Sequence, residues 1–176
     1  MEERSPECQN RRETDYYAAI AEGYDELHKE EQVKKILLIL EHFPVSKDES
    51  LLDVGCGTGF SFDYWPTKNV TGAEPSAAMI AQATPARQAK IVHVRAEDLA
   101  IFDDGEFDVV VSLTAIHNFT GLEDGLREMK RVGKRKFAFS VLKKSSKLAD
   151  IDRLVRKLFA VKTVLEEEHD RIYLIF

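Results

Sequence analysis

The segment Leu51-Leu52-Asp53-Val54-Gly55-Cys56-Gly57-Thr58-Gly59-Phe60 constrains this chain more than any other. A β-forming run feeds a turn with glycine at alternate positions, and a helical pattern follows. Glycine tolerates φ above zero and carries no Cβ. Backbone N–H groups and a helix start therefore converge where a ligand can approach closely. A dinucleotide fingerprint needs a small residue at position 60 for tight helix-strand packing. Phe60 stands there, which argues against a pyrophosphate-bearing NAD and an NAD-linked oxidoreductase. The G-K-[ST] ending of a P-loop is missing as well. About twenty residues on, at the tip of the next strand pattern, Glu74 offers a carboxylate that can accept hydrogen bonds from both hydroxyls of a ribose.

The surrounding chain reads as one parallel α/β unit, because from Ser50 β-branched runs alternate with helical segments. Strands are predicted at Leu51 to Val54, Asn69 to Glu74, Lys90 to Val94, Phe107 to Leu113 and Lys136 to Leu142. Helices are predicted from about Gly59 up to Pro66, from Ser76 to Ala83 before Pro85, and from Ser146 to Phe159. Another opens at Thr120-Gly-Leu-Glu123, a capping-box pattern, buries Leu122, Leu126 and Met129, and stops at Gly133. The runs Val161 to Glu166 and Arg171 to Phe176 flank the polar stretch Glu167 to Asp170, a loop short enough only for an antiparallel hairpin. Two helices precede the sheet. One aligns Tyr17, Ile20, Tyr24 and Leu27, and the other aligns Val33, Ile36, Leu37 and Leu40 before Pro44. At 176 residues the chain fits a single domain over 14–176, in which 14–42 form a candidate lid and 50–176 the core, after a flexible arm at 1–13.

Charge narrows the partners. With 31 acidic residues against 25 Lys and Arg, the net charge of −6 gives no global attraction to nucleic acid or an anionic membrane. Between Arg127 and Lys147, however, nine residues are basic and only Glu128 is acidic. The stretch Lys130 to Lys136 reads as a solvated face. Lys143, Lys144 and Lys147 lie just beyond the fifth strand, where they can meet an acidic or phosphorylated acceptor. Cys8 and Cys56 have no ligand spacing, so neither a disulfide nor a metal site is expected, and the expected setting is cytoplasmic. The start of the chain has no apolar h-region, and no apolar run approaches the length of a membrane span, so no membrane association is expected.

On the segments LLDVGCGTGF (51–60), VTGAEPSAAMI (70–80), AEDLAIFDDGEFDVVVS (96–112) and YYAAIAEGYDELH (16–28), the chain resembles the class I, Rossmann-like S-adenosylmethionine (SAM)-dependent methyltransferases. The likeness is to the small type 11 group that includes ubiquinone- and menaquinone-type enzymes. It implies a three-layer sandwich around a seven-stranded, mostly parallel sheet of order 3-2-1-4-5-7-6 with the last strand antiparallel. It also implies SAM as cofactor, S-adenosylhomocysteine (SAH) as product, and no metal. By position, Asp53 and the backbone of Gly55, Cys56, Gly57 and Gly59 would hold the methionine portion. Glu74 would hold the ribose, Ala96 with Glu97 would meet the adenine, and Pro75 is a further cofactor-binding candidate. Tyr24 would fold over the cofactor near the reacting methyl, and Ser112 and Leu113 would line the pocket floor. The sequence departs from the family at Arg95, where an acceptor side chain is usual.

His117, in the loop after the fourth strand, is the candidate general base beside Tyr24; its alternative is a structural role. Methyl transfer from a sulfonium asks the protein chiefly to align reactants and exclude water. The expectation is therefore a SAM-dependent methyltransferase acting on a small molecule, with little material for a substrate lid beyond 14–42. Two readings stay open beside it: action on RNA or protein, and a non-catalytic SAM-binding subunit that activates a protein partner.

Overall fold

The computed structural model describes residues 24–176, with side chains from Glu30 onward. The expected arm at 1–13, the face of Tyr17 and Ile20, and the Tyr24 and Leu27 side chains lie outside what is described. Helix α1 (Tyr24–His42) leads into β1 (Leu51–Val54), a 3-10 turn (Phe60–Asp63), β2 (Val70–Ala73), α2 (Ala77–Gln82), α3 (Pro85–Gln88) and β3 (Ile91–Val92). Strand β4 (Phe107–Leu113), a 3-10 turn (Ile116–Asn118), α4 (Leu122–Val132), β5 (Gly133–Leu142), α5 (Leu148–Leu158), β6 (Thr163–Glu166) and β7 (Asp170–Ile175) complete the order.

The strands form one seven-stranded sheet, β3-β2-β1-β4-β5-β7-β6. Strands β1 to β5 pair in parallel, and β7 runs antiparallel to both β5 and β6. The order and the reversed last strand are as the sequence led us to expect. Successive side chains point to opposite faces, so the apolar runs of β1 and β4 feed two cores at once. Leu51, Val109 and Val111 pack with Ile36 and Ile39 of α1, with Phe43 just after it, and with Trp65. Leu52 and Val110 pack with Leu126 and Met129 of α4 and Ile151 and Val155 of α5. That is a three-layer sandwich.

Several boundaries differ from the sequence reading, each for a local reason. The segment from Tyr24 through Leu27 and the run Val33 to Leu40 belong to a single helix, because no breaker separates them. The helix expected from Gly59 to Pro66 is only the short 3-10 turn, since Gly59 is left-handed (φ 69°) and Phe62 turns under it into the core. Pro85 does more than halt α2, for it opens α3 in the first turn, where its missing N–H costs nothing. Thr120 does not cap α4. The N-cap is Gly121, Thr120 Oγ1 accepts from Arg95 Nη2 (2.6 Å), and Glu123 turns to Arg127 and Lys157. Gly133 is extended (φ −93°) and starts β5 directly, three positions before the expected Lys136; a Cβ there would meet Phe137 at 2.5 Å and Val110 at 2.8 Å. Asp170, expected in the hairpin loop, is instead the first residue of β7 and fully buried.

The long connection from His93 to Glu106 contains no helix or strand and hangs on Arg131. The guanidinium donates to the carbonyls of Leu99 and Phe102 (both 3.0 Å), to Asp104 (2.7 Å) and to Glu128 (2.8 Å). Glu128 in turn accepts from Leu99 N at 3.0 Å. Most of the basic run 130–136 is neutralised in the same manner, with Lys134 on Asp108 (2.6 Å) and Lys136 on Glu49 (2.9 Å).

Candidate active site

The glycine turn bends left-handed three times, at Gly55 (φ 77°), Gly57 (φ 57°) and Gly59 (φ 69°). Only glycine makes that excursion without strain, which explains the alternate spacing. The turn is stitched to the end of β2: Gly55 N and Cys56 N both donate to Ala73 O, and Gly57 N donates to Glu74 Oε2 at 2.8 Å. The other Glu74 oxygen accepts from Ser76 N at 2.9 Å. Each oxygen keeps a second acceptor lone pair. Burial raises the Glu74 pKa, opposed by those N–H donors and by His93.

Asp53 lies beneath the turn, 2% exposed. Its Oδ2 accepts a short hydrogen bond from Ser61, and its Oδ1 is buried with no hydrogen-bond partner. Burial pushes its pKa up to about 7; the Ser61 hydroxyl opposes the rise and the Glu74 charge adds to it. A buried carboxylate with an orphaned oxygen favours a cationic ligand. Cys56 points away from chemistry: its Sγ packs over Gly72, where a Cβ would sit 2.5 Å away, and burial pushes the thiol pKa well up.

The predicted adenine flank behaves differently from the cradle. Ala96 is buried in the core beside Phe119 and Gly125. Glu97 is committed to the start of α4, with Oε1 accepting from Gly121 N (2.9 Å) and Oε2 lying 3.5 Å from Arg95 Nε. Pro75 is exposed and its carbonyl bonds to His93 Nε2 at 2.9 Å. Ser112 does not line a pocket floor. It is fully buried inside β4 and donates to Val54 O at 2.8 Å, locking β4 to β1 where the glycine turn begins. Leu113 is the last residue of β4 and half-buried.

Beyond β4 the chain makes another left-handed bend, at Thr114 (φ 56°). A β-branched residue there is strained, and its polar contacts hold it. Thr114 N donates to Ser140 Oγ (2.9 Å) and Ser140 O (3.0 Å). Thr114 Oγ1 accepts from Lys35 Nζ at 2.6 Å and donates to Asp170 Oδ2 at 3.1 Å. Lys35 and Asp170 themselves form an ion pair with both side chains fully buried. Asp170 Oδ1 and, in the adjoining 3-10 turn, His117 Nδ1 are buried without hydrogen-bond partners. Burial lowers the His117 pKa; Asp170 raises it, and Lys147 and Lys35 lower it further.

Sequence reasoning missed Ser61, Lys35, Thr114 and Asp170. Lys35 had a signal, since it sits on the apolar side of α1 one turn before Ile39. Lys143 lies 3.4 Å from Glu166, and Lys147 donates to Phe119 O at 3.4 Å, so both contact the protein itself. Among the described residues no group of His, Cys, Asp or Glu is arranged to hold a metal ion, and no helix is long and apolar enough to cross a membrane.

A family model described as a methyltransferase domain matches residues 52–139, half of the chain, from the strand that leads into the glycine turn to the strand beside Thr114. The chain belongs to the methyltransferase domain family. Within it, the chain is similar to a malonyl-[acyl-carrier protein] O-methyltransferase of Enterobacter lignolyticus, 32% identical over 108 residues, 60% of this chain and 43% of that protein. It spans less than half the length of the curated relatives it matches. Among solved structures it is similar to the magnesium protoporphyrin IX methyltransferase of Synechocystis with bound SAM (TM-score 0.71, 15% identity, 99% and 98% of the two chains). It is also similar to a structure of a putative methyltransferase with the Haloferax volcanii Trm112 methyltransferase activator (TM-score 0.66, 22% identity, 88% and 78%). At these identities the two structures establish the fold.

Proposed function

We propose that this chain binds SAM on the glycine turn and transfers its methyl group to an acceptor held beyond the ends of β4 and β5. The observation that carries this reading is the buried pair Asp53 and Glu74 around a left-handed glycine turn, with Asp53 Oδ1 unpartnered. The orphaned oxygen fits an ammonium such as that of a methionine portion. The second lone pairs of Glu74 fit ribose hydroxyls. The adenine assignment keeps Ala96 and Glu97, with backbone groups meeting the adenine amino group because Glu97 Oε1 already accepts from Gly121 N.

When bound, the cofactor supplies an electrophilic methyl on sulfur. The chain's residues do the rest. Asp53 and the glycine turn fix the donor, and Ser112 keeps β4 and β1 in register at the crevice. His117, its pKa lowered by burial, is neutral at pH 7 and serves as the base for an acceptor that must lose a proton. Tyr24 is assigned to cover the donor.

The acceptor reading favours a small molecule. The net charge is −6, and the basic run is engaged by Asp108, Glu49 and Glu128. Action on RNA or protein, with an activating protein partner, is the second reading; the Trm112 complex among the structural relatives supports keeping it. Isothermal titration with SAM and SAH tests the cofactor half: micromolar binding is expected, and none by the wild type ends the reading. Methyl-labelled SAM incubated with fractionated cell extract then shows whether label enters small molecules, RNA or protein.

A further inference from the structure

The buried polar cluster around Thr114 is not explained by cofactor binding. It joins α1 through Lys35, the end of β4 through Thr114, β5 through Ser140 and β7 through Asp170. Its geometry spends Asp170 Oδ2 on Lys35 and Thr114 and leaves Oδ1 without a partner. Three residues after Thr114, the turn carrying His117 likewise leaves Nδ1 buried and without a partner. A buried acceptor and a buried imidazole nitrogen in one cluster are each costly alone. They are not bonded to each other in the fold, and one bridging water would satisfy both.

We propose that Asp170, held by Lys35 and Thr114, is the positioning residue for His117: through one bridging water its Oδ1 accepts from Nδ1–H and keeps the proton on that nitrogen, so that Nε2 keeps its lone pair for a proton of the methyl acceptor. This rests on the methyltransferase reading and deepens it toward acceptors bearing an ionisable O–H or N–H. In the transfer the acceptor's X–H bond breaks and its proton goes to His117 Nε2. The electron pair left on X forms the X–CH3 bond, and the pair of the S–CH3 bond stays on sulfur. The imidazolium later gives its proton to water. Thr114 fits this account because its strained φ places one hydroxyl between the lysine and the aspartate. The charged groups acting on the ring are Asp170 from β7, Lys35 from α1 and Lys147 from the turn before α5.

The test reads the ring itself, by long-range proton-nitrogen NMR of the full chain without added ligand, with His117 assigned by its loss in His117→Gln. A wild-type ring protonated on Nδ1 is expected. Asp170→Asn is expected to lower the His117 pKa and mix the tautomers, and Lys147→Met to raise that pKa. Because Asp170→Asn strands a buried lysine, the double variant Lys35→Met with Asp170→Leu provides the folded control. It is expected to keep its melting temperature and lose the Nδ1–H preference. A wild-type ring protonated on Nε2, or a tautomer and pKa unmoved by Asp170→Asn and by the double variant, overturns the proposal. SAM titration of the same samples is read separately: absent binding sinks the cofactor reading, while the ring measurement still decides the role of Asp170.

Discussion

At the glycine turn the chain swings left-handed three times at residues that do so at little cost, while at Thr114 it makes the same excursion at a β-branched residue. The two bends touch, since a Cβ on Gly55 would lie 2.5 Å from the Cβ of Ala115. The first bend is held by its own N–H groups, which donate to the carbonyl of Ala73 and the carboxylate of Glu74 at the end of β2. The second is held by side chains from Lys35 and Asp170, 79 and 56 positions away. One bend is thus written by its own glycines and one neighbouring strand, and the other depends on the assembled fold.

Cutting the distant support is the strongest way to break this contrast. Lys35→Met leaves Asp170 buried without its cation and should cost about 3–5 kcal/mol in denaturant unfolding, whereas adding Asp170→Leu should recover most of it. A comparable effect arises at the cradle from pH. The folded-state pKa of Asp53 lies above its ordinary value of 3.8, so stability is full below about pH 4 and falls as pH rises toward about 7. The loss is on the order of 4 kcal/mol. Melting curves from pH 4 to 8 should show it, and Asp53→Asn should flatten that dependence.

Gly57→Arg tests the cradle alone. It should weaken SAH binding about a hundredfold or more, close to 3 kcal/mol, while the NMR signature of His117 stays unchanged. Arg95→Ala probes the predicted adenine flank. It removes a half-exposed guanidinium from Thr120 and Glu97 and should change stability by less than about 1 kcal/mol, with SAH affinity within about threefold. A larger loss there would mean that the adenine flank depends on long-range support as the Thr114 bend does.

The same contrast explains what was legible in the sequence. The five parallel strands and the final hairpin were readable because β-branched runs are buried on both faces and turn residues punctuate them. The cradle was readable because Gly55, Gly57, Gly59 and Glu74 act through neighbours and one strand register. Asp170 was not, for a polar residue after Glu167-Glu168-His169 reads as loop until β7 is seen paired to Leu142 of β5. Thr120 misled for the opposite reason. The local capping pattern was present, but Arg95 claims its hydroxyl and Glu97 reaches the backbone of Gly121.

The hold that Arg131 exerts on the connection from β3 to β4 has a further consequence. Its planar fork serves two carbonyls and two carboxylates simultaneously, a task the single ammonium of a lysine does not reproduce. The segment beginning at Ala96 is therefore suspended from the last turn of α4. A conservative exchange at Arg131 would slacken the whole connection from β3 to β4, as a tent loses shape when one peg is drawn.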